Sequence, residues 1–181
     1  FEAIGNIGDG RRWGVMWESS VPLDWVGLRS AKLDLKARLQ DSSVTDPVTG
    51  EDRVLSIKTI SGGPIFFNVE NNYAWEMNFR QDFQASKLAW GWKMMDRAEQ
   101  YQYKADELII YDENTDIHAY IESSRWFGMK MQFGAENILN FHEDRYRVIY
   151  TGAREQSPVD SIELRDRTRG FRLNMTVTGN F

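Results

Sequence analysis

Alternation of apolar and polar residues is the strongest pattern in this chain of 181 residues. In residues 31–40 every odd position is apolar and every even position is polar. Similar alternation recurs elsewhere, with a few interruptions, in 12–21, 73–83, 87–95, 116–123, 128–137 and 171–181, and 1–6 resemble the end of one more strand. A helix would point such residues all around its axis, whereas a strand collects them on one face. The pattern predicts an all-β, antiparallel protein of about eight strands.

The apolar faces of these strands must meet either a second sheet or lipid. Short connectors alternate with long ones along the chain: 22–30, 84–86 and 124–127 against 41–72, 96–115 and 138–169. Bacterial outer-membrane barrels have short periplasmic turns and long extracellular loops. The connector at 7–11 is short, although its place in this alternation of lengths calls for a long one. The other six connectors favour a transmembrane β-barrel with the long connectors outside the cell.

Composition agrees with this interpretation. Seven Trp, seven Tyr and ten Phe suit strands that cross membrane interfaces. The mean hydropathy of -0.55 is compatible with a barrel, which shows lipid only at every second residue. A net charge of -5 argues against a nucleic-acid partner, and the absence of cysteine excludes a disulfide scaffold.

Four stretches carry a resemblance to a known family. Residues 128–139 end in Glu136-Asn137-Ile138-Leu139 and resemble the penultimate strand of TonB-dependent outer-membrane transporters. A charged segment follows, with DRYR at 144–147 and RDR at 165–167, and DPVTGEDR at 46–53 resembles a loop segment of the same family. The last strand is similar to the assembly signal of outer-membrane proteins, carried here by Phe171, Leu173, Met175, Val177 and Phe181.

The resemblance implies an active importer of a scarce nutrient of the siderophore, cobalamin or saccharide class. Such transporters are plugged barrels of about 22 strands in the Gram-negative outer membrane. Residues 1–181 would form the C-terminal part of that barrel, and the plug domain and the earlier strands would precede it. The implied partners are this N-terminal portion, outer-membrane lipid, the TonB energy-coupling system and a small-molecule substrate.

The polar positions of the strands would then line the lumen. The candidates for contacts to the lumen or the plug are Lys32, Asp34, Lys36, Arg38, Glu76, Arg80, Lys130 and Glu136. Five aromatic residues of the long connectors are candidates either for ligand contact or for packing between loops: Phe66, Phe67, Tyr101, Tyr103 and Tyr111. His118 and His142 lack a partner at metal-site spacing. We therefore expect no enzymatic activity, no cofactor and no metal.

Two alternatives remain open at this point. One is a small eight-stranded outer-membrane barrel with a structural or adhesin role. Its first strand would need about 9–11 residues, more than 1–6 supply. The other is a soluble β-sandwich, such as a carbohydrate-binding module, in which the apolar faces would pack against each other.

Overall fold

The computed structural model describes residues 7–55 and 72–179, and strands dominate them. The strands in these residues are β1 (Gly10–Pro22), β2 (Ala31–Thr45), β3 (Asp52–Arg53), β4 (Tyr73–Phe83), β5 (Leu88–Arg97), β6 (Gln100–Tyr103), β7 (Glu107–Glu113), β8 (Asp116–Ser123), β9 (Lys130–Glu136), β10 (His142–Tyr150), β11 (Val159–Thr168) and β12 (Arg172–Thr178). A single 3-10 turn at Asp24–Val26 follows β1. Every strand pairing is antiparallel, which confirms the all-β antiparallel prediction.

The main sheet has the order β1-β2-β4-β5-β8-β9-β12, and the short β3 pairs with the end of β2. The predicted strands 73–83 and 116–123 coincide with β4 and β8. The strand expected at 1–6 lies outside the described residues. Within the described part of the chain, β1 and β12 are the two edges of this sheet, and it does not close on itself. The barrel therefore stays a prediction.

A second sheet, in the order β6-β7-β10-β11, forms from the long connectors 96–115 and 138–169. Each of its strands directly continues one strand of the main sheet: β6 follows β5, β7 precedes β8, β10 follows β9 and β11 precedes β12. Its order is thus the order β5-β8-β9-β12, and the two sheets join end to end. Strands β10 and β11 pair with each other as an antiparallel hairpin.

The junction between the sheets is a bend that Asn137 stabilises. Asn137 adopts a left-handed backbone with φ 56°, a region that asparagine tolerates better than most residues. Its side-chain amide donates a hydrogen bond of 2.7 Å to the carbonyl oxygen of Gly170 on the neighbouring strand. Its side-chain oxygen accepts a hydrogen bond from the Phe141 amide. One buried side chain thus ties together the two strands that leave the main sheet.

The two faces of the main sheet differ in burial, and the apolar face is the more exposed. The apolar face consists of the odd-numbered residues of β1, β2, β4, β8, β9 and β12 and the even-numbered residues of β5, which lie opposite one another in register. On the inner strands, Leu39 is 62% exposed and Ile121 is 51% exposed on this face, whereas Arg38 on the polar face is 5% exposed. Nearly all residues of the edge strands β1 and β12 are exposed, whichever face they belong to. In the middle of the sheet, Phe79 is buried between Trp90 and Trp92.

Candidate functional site

The charged residues predicted to line a lumen share the polar face of the main sheet, which we call the charged wall. The charged wall consists of the even-numbered residues of β1, β2, β4, β8, β9 and β12 and the odd-numbered residues of β5. Alternate residues of a strand point to the same side. Lys32 therefore lies beside Arg80, and Lys36 beside Glu76, across the β2–β4 pairing.

The four candidates on β2 lie along one strand of this wall. Lys32 Nζ contacts Asp34 Oδ2 at 2.9 Å, and Lys36 Nζ lies 3.8 Å from Oε1 of Glu18 on β1. Arg38 is buried and lines a cavity of about 310 Å³ together with Arg12 and Gln40. Arg12 Nη2 donates a hydrogen bond of 2.9 Å to Gln40 Oε1 across that cavity.

Glu122 on β8 joins two of the predicted candidates. Its Oε1 lies 3.1 Å from Arg80 Nη2, and its Oε2 lies 2.6 Å from Lys130 Nζ. Arg80 Nη2 also contacts Asp82 Oδ1 at 2.7 Å, and its Nη1 donates to the Tyr120 hydroxyl at 3.4 Å. The result is one network of alternating charges that extends from β4 through β8 to β9.

The two remaining candidates have partners of their own. Glu76 Oε2 contacts Lys93 Nζ of β5 at 2.7 Å. Glu136 accepts hydrogen bonds from Arg172 at 2.6 Å and from Asn174 at 2.7 Å on β12. Cross-strand pairs of opposite charge stabilise sheet register.

The sequence prediction missed several partners in this wall: Glu122, Lys93, Asp82 and Arg172. All four occupy polar positions of the alternation, so the alternation was a signal that could have identified them.

Two glycines allow the wall to pack closely. A Cβ atom on Gly91 would lie 2.6 Å from the Tyr120 hydroxyl and 2.4 Å from the Phe79 carbonyl oxygen. A Cβ atom on Gly134 would lie 2.5 Å from the side-chain oxygen of Asn174. Large polar side chains therefore cover both glycines, and the wall is a filled, hydrogen-bonded surface.

The proposed assembly-signal residues lie on the opposite, apolar face. Phe171, Leu173, Met175 and Val177 are between 48% and 76% exposed. Asn174, one residue from Met175, belongs to the charged wall through its bond to Glu136. Phe181 lies outside the described residues.

A second polar cluster lies at the far end of the second sheet, where three hairpins meet. This tip cluster consists of Asp46 in the β2–β3 turn, Arg53 on β3, Tyr103 on β6 and Arg154 in the β10–β11 connector. Asp46 Oδ2 accepts from Arg53 Nε at 2.5 Å and from Arg154 Nη2. Both guanidinium groups lie near the Tyr103 ring, at 4.3 Å and 5.0 Å from its centroid.

Asp46 and Arg154 are each 2% exposed, which makes them the most deeply buried charged pair in the described residues. The remaining oxygen of Asp46 accepts from the Val48 amide at 2.7 Å. Burial opposes ionisation of Asp46, but the bonds from Val48, Arg53 and Arg154 outweigh it and lower the pKa of this carboxyl group. Asp46 is therefore a carboxylate at neutral pH.

The candidate loop aromatics have different surroundings. Tyr101 and Tyr103 stack on each other with ring centroids 6.0 Å apart. The Tyr101 hydroxyl donates to Glu99 Oε2 at 2.5 Å, and this bond raises the pKa of Tyr101 to about 12. Tyr111 lies in β7, and Phe66 and Phe67 lie outside the described residues.

The two histidines lie on separate strands, where His118 Nε2 contacts Asp116 at 2.9 Å and His142 lies 3.7 Å from Asp144. Among residues 7–55 and 72–179, no group of three or more His, Asp or Glu side chains is placed to hold a metal ion. In the same residues, no helix is long and apolar enough to cross a membrane. Comparisons with protein-family models, with curated proteins and with solved structures find no match for this chain.

Proposed function

We propose that this chain is the C-terminal part of an outer-membrane barrel and belongs to an active importer of a scarce nutrient. The main support for this proposal is that the polar face of the main sheet is more buried than its apolar face. On the inner strands its apolar face exposes large side chains such as Leu39 and Ile121, whereas its polar face buries Arg38 and Glu122. A sheet in water buries its apolar face and exposes its polar face, because burial of apolar surface is the main favourable term in folding. Lipid on the apolar side accounts for both faces.

The length of the apolar face supports a membrane band. On most strands, the positions of the apolar face carry mainly apolar residues. At the end that faces the long connectors, the next position of the same face is polar: Arg11, Asp41, Asp96, Thr115, Asn137 and Arg169. The longest of these stretches span the roughly 9–11 residues of a tilted strand that crosses a bilayer: 31–39 in β2 and, each with one polar residue at an outward position, 13–21 in β1 and 73–83 in β4. At the opposite end, the short connectors expose Trp25, Trp126 and Phe127, which suits a membrane interface.

The end-to-end arrangement of the sheets favours this proposal over a soluble sandwich. In a sandwich two sheets pack face to face and bury their apolar sides against each other. Here the second sheet prolongs four strands of the main sheet, and much of the apolar side stays open. In the proposed barrel the second sheet extends the wall beyond the membrane on the extracellular side.

The importer function rests on the sequence resemblance together with this geometry. In the described part of the chain β1 and β12 each have one strand neighbour, and open edges are not tolerated in hydrocarbon. We propose that the preceding part of the same transporter supplies the missing strands and the plug. The charged wall, with Lys32, Glu76 and Lys130 among its residues, would then face the plug, whose movement is coupled to the TonB system.

Membrane topology provides the first test. The chain contains no cysteine, so single cysteines introduced at Ala85 and at Asp160 report cleanly. An impermeant thiol reagent added to intact cells should label the Asp160→Cys variant in the β10–β11 hairpin and not the Ala85→Cys variant in the short turn. Labelling of both or of Ala85→Cys alone would contradict the topology. Recovery of the folded protein without detergent would support the soluble sandwich.

Transport requires a separate test with the whole gene product. Uptake of labelled siderophores, cobalamin and oligosaccharides should be compared in cells with and without the TonB energy-coupling protein. Uptake of one compound that depends on that protein would support the importer. An outer-membrane location with no energy-dependent uptake of any of these classes would favour a structural or adhesin barrel instead.

A further inference from the structure

The tip cluster connects three hairpins that are far apart in the sequence. Asp46 belongs to the β2–β3 turn, Tyr103 to the β6–β7 hairpin and Arg154 to the connector of β10 and β11. The bond from Arg154 to Asp46 spans 108 residues. A second bond of the same span joins Gln156 Nε2 to the Val48 carbonyl oxygen at 2.5 Å.

The third hairpin is held by backbone groups. The Arg154 amide donates to the Ala105 carbonyl oxygen at 2.8 Å, and Arg154 Nε donates to the Lys104 carbonyl oxygen at 3.3 Å. Arg154 therefore contacts both other hairpins at once: its amide and Nε bond to the β6–β7 hairpin, and its Nη2 bonds to Asp46. The carboxylate that Arg154 contacts belongs to Asp46, which is 2% exposed.

We propose that the tip cluster locks the three hairpin tips into one cooperative unit, which opens and closes as a whole. Separating the β2–β3 or the β10–β11 hairpin would break the buried bond between Asp46 and Arg154. Separating the β6–β7 hairpin would leave the amide and Nε of the buried Arg154 without their acceptors. An uncompensated buried charge is strongly unfavourable. Independent opening of a single tip is therefore suppressed, and local unfolding involves all three.

This lock has a consequence for ligand capture that does not depend on which medium surrounds the main sheet. A ligand that arrives at this end of the molecule meets a preassembled surface and need not order three separate loops. Preorganisation of this kind lowers the entropic cost of binding.

Trypsin provides a direct test, because Arg53, Lys104 and Arg154 are cleavage sites in the three different hairpins. We expect Asp46→Asn to accelerate cleavage after Lys104 at least about tenfold, since proteolysis follows the population of the opened state. Asp52→Asn is the matched control. It changes the same functional group in the same hairpin, but Asp52 is exposed and accepts a hydrogen bond from Thr45 Oγ1 at 3.0 Å.

The lock also predicts non-additivity. The double variant Asp46→Asn/Arg154→Met should be cleaved after Lys104 no faster than the worse single variant, because either substitution alone already breaks the bond between Asp46 and Arg154. Arg53→Lys retains a positive charge and serves as a milder variant if Asp46→Asn does not fold. It should accelerate cleavage after Lys104 and after Arg154 by similar factors.

Three outcomes would overturn the proposal. In the first, Asp46→Asn accelerates cleavage after residue 53 alone. In the second, Asp52→Asn accelerates cleavage after Lys104 as much as Asp46→Asn does, and in the third the effects of the two substitutions add up in the double variant. A measurement on the unmodified protein complements them. The amides of Gly50 and Arg154, which bond to Asp46 and Ala105, should exchange their hydrogens through one shared opening. Clearly separate opening free energies for the two amides would contradict the lock, and none of these results bears on the membrane location.

Discussion

The charged wall and the tip cluster use the same chemical pair in opposite environments. In the wall, Arg172 and Glu136 form a 2.6 Å ion pair whose side chains remain 59% and 31% exposed. In the tip cluster, Arg154 and Asp46 are both 2% exposed. Exposed pairs contribute little to stability, whereas a buried charge depends on its partner. The number of ion pairs in a region is therefore a poor guide to how much that region contributes to the stability of this protein.

Removal of one arginine from each region should separate them most clearly. Arg154→Met removes one of the two guanidinium partners of the buried Asp46 and leaves Arg53 as the other, so we expect a loss of about 3 kcal/mol in the free energy of unfolding, the lower end of the range for a broken buried pair. Arg172→Met removes a largely exposed partner and should cost about 0–1 kcal/mol. Urea denaturation of the whole protein in detergent micelles measures both. Similar losses for the two variants would show that burial does not distinguish the regions.

The reverse side of the wall provides the next comparison. Met175 is 56% exposed on the apolar face, and Asn174 beside it bonds to Glu136 in the wall. An arginine on a lipid-facing position costs about 2–4 kcal/mol near the bilayer midplane. Met175→Arg should therefore reduce the yield of assembled, heat-modifiable protein in the outer membrane far more than Asn174→Arg. Equal yields would refute the assignment of the two faces.

Within the charged wall, ion pairs with buried side chains should contribute more to the free energy of unfolding than ion pairs with exposed side chains. Glu122 is 11% exposed on its side chain and bridges Arg80 and Lys130. Glu122→Gln should cost about 1.5–3 kcal/mol, because bonds to charged groups are lost in a partly buried network. Glu18→Gln, whose side chain is 55% exposed and 3.8 Å from Lys36, should cost less than about 0.5 kcal/mol. A larger loss at Glu18 would contradict this order.

The charged wall could be predicted because its signal is local. Period-two alternation fixes which residues share a face, and antiparallel neighbours then bring Lys36 beside Glu76 and Arg80 close to Glu122. The missed partners Lys93 and Arg172 belong to the same phase. The edges of the sheet were harder to predict, since alternation specifies faces and not which strand lies at the end.

The second sheet and the tip cluster lie beyond such reasoning. The strand β7 places Leu108, Ile109 and Ile110 in sequence, and this run shows no alternation because Ile109 is buried on the side opposite its neighbours. The bond between Asp46 and Arg154 joins positions 108 residues apart, and no periodic pattern connects them. The stretch 46–53 attracted notice by family resemblance alone, and its role emerges only from the contacts.

The smallest expected effect is the change at acidic pH in the stability that Asp46 gives to the tip cluster. The folded state lowers the pKa of Asp46 from its ordinary value of 3.8. A carboxyl group with a lowered pKa stabilises the fold fully above its unfolded value, and this contribution declines as pH falls through the folded value. The stability advantage of the unmodified protein over Asp46→Asn should therefore stay constant from neutral pH to about pH 5 and shrink below 3.8. Glu107, whose pKa is also lowered, chiefly by its bond from Arg147, is present in both proteins and cancels in the difference. Urea denaturation over this pH range provides the measurement. An advantage that grows as the solution becomes more acidic would mean that the buried carboxylate does not hold the tips together.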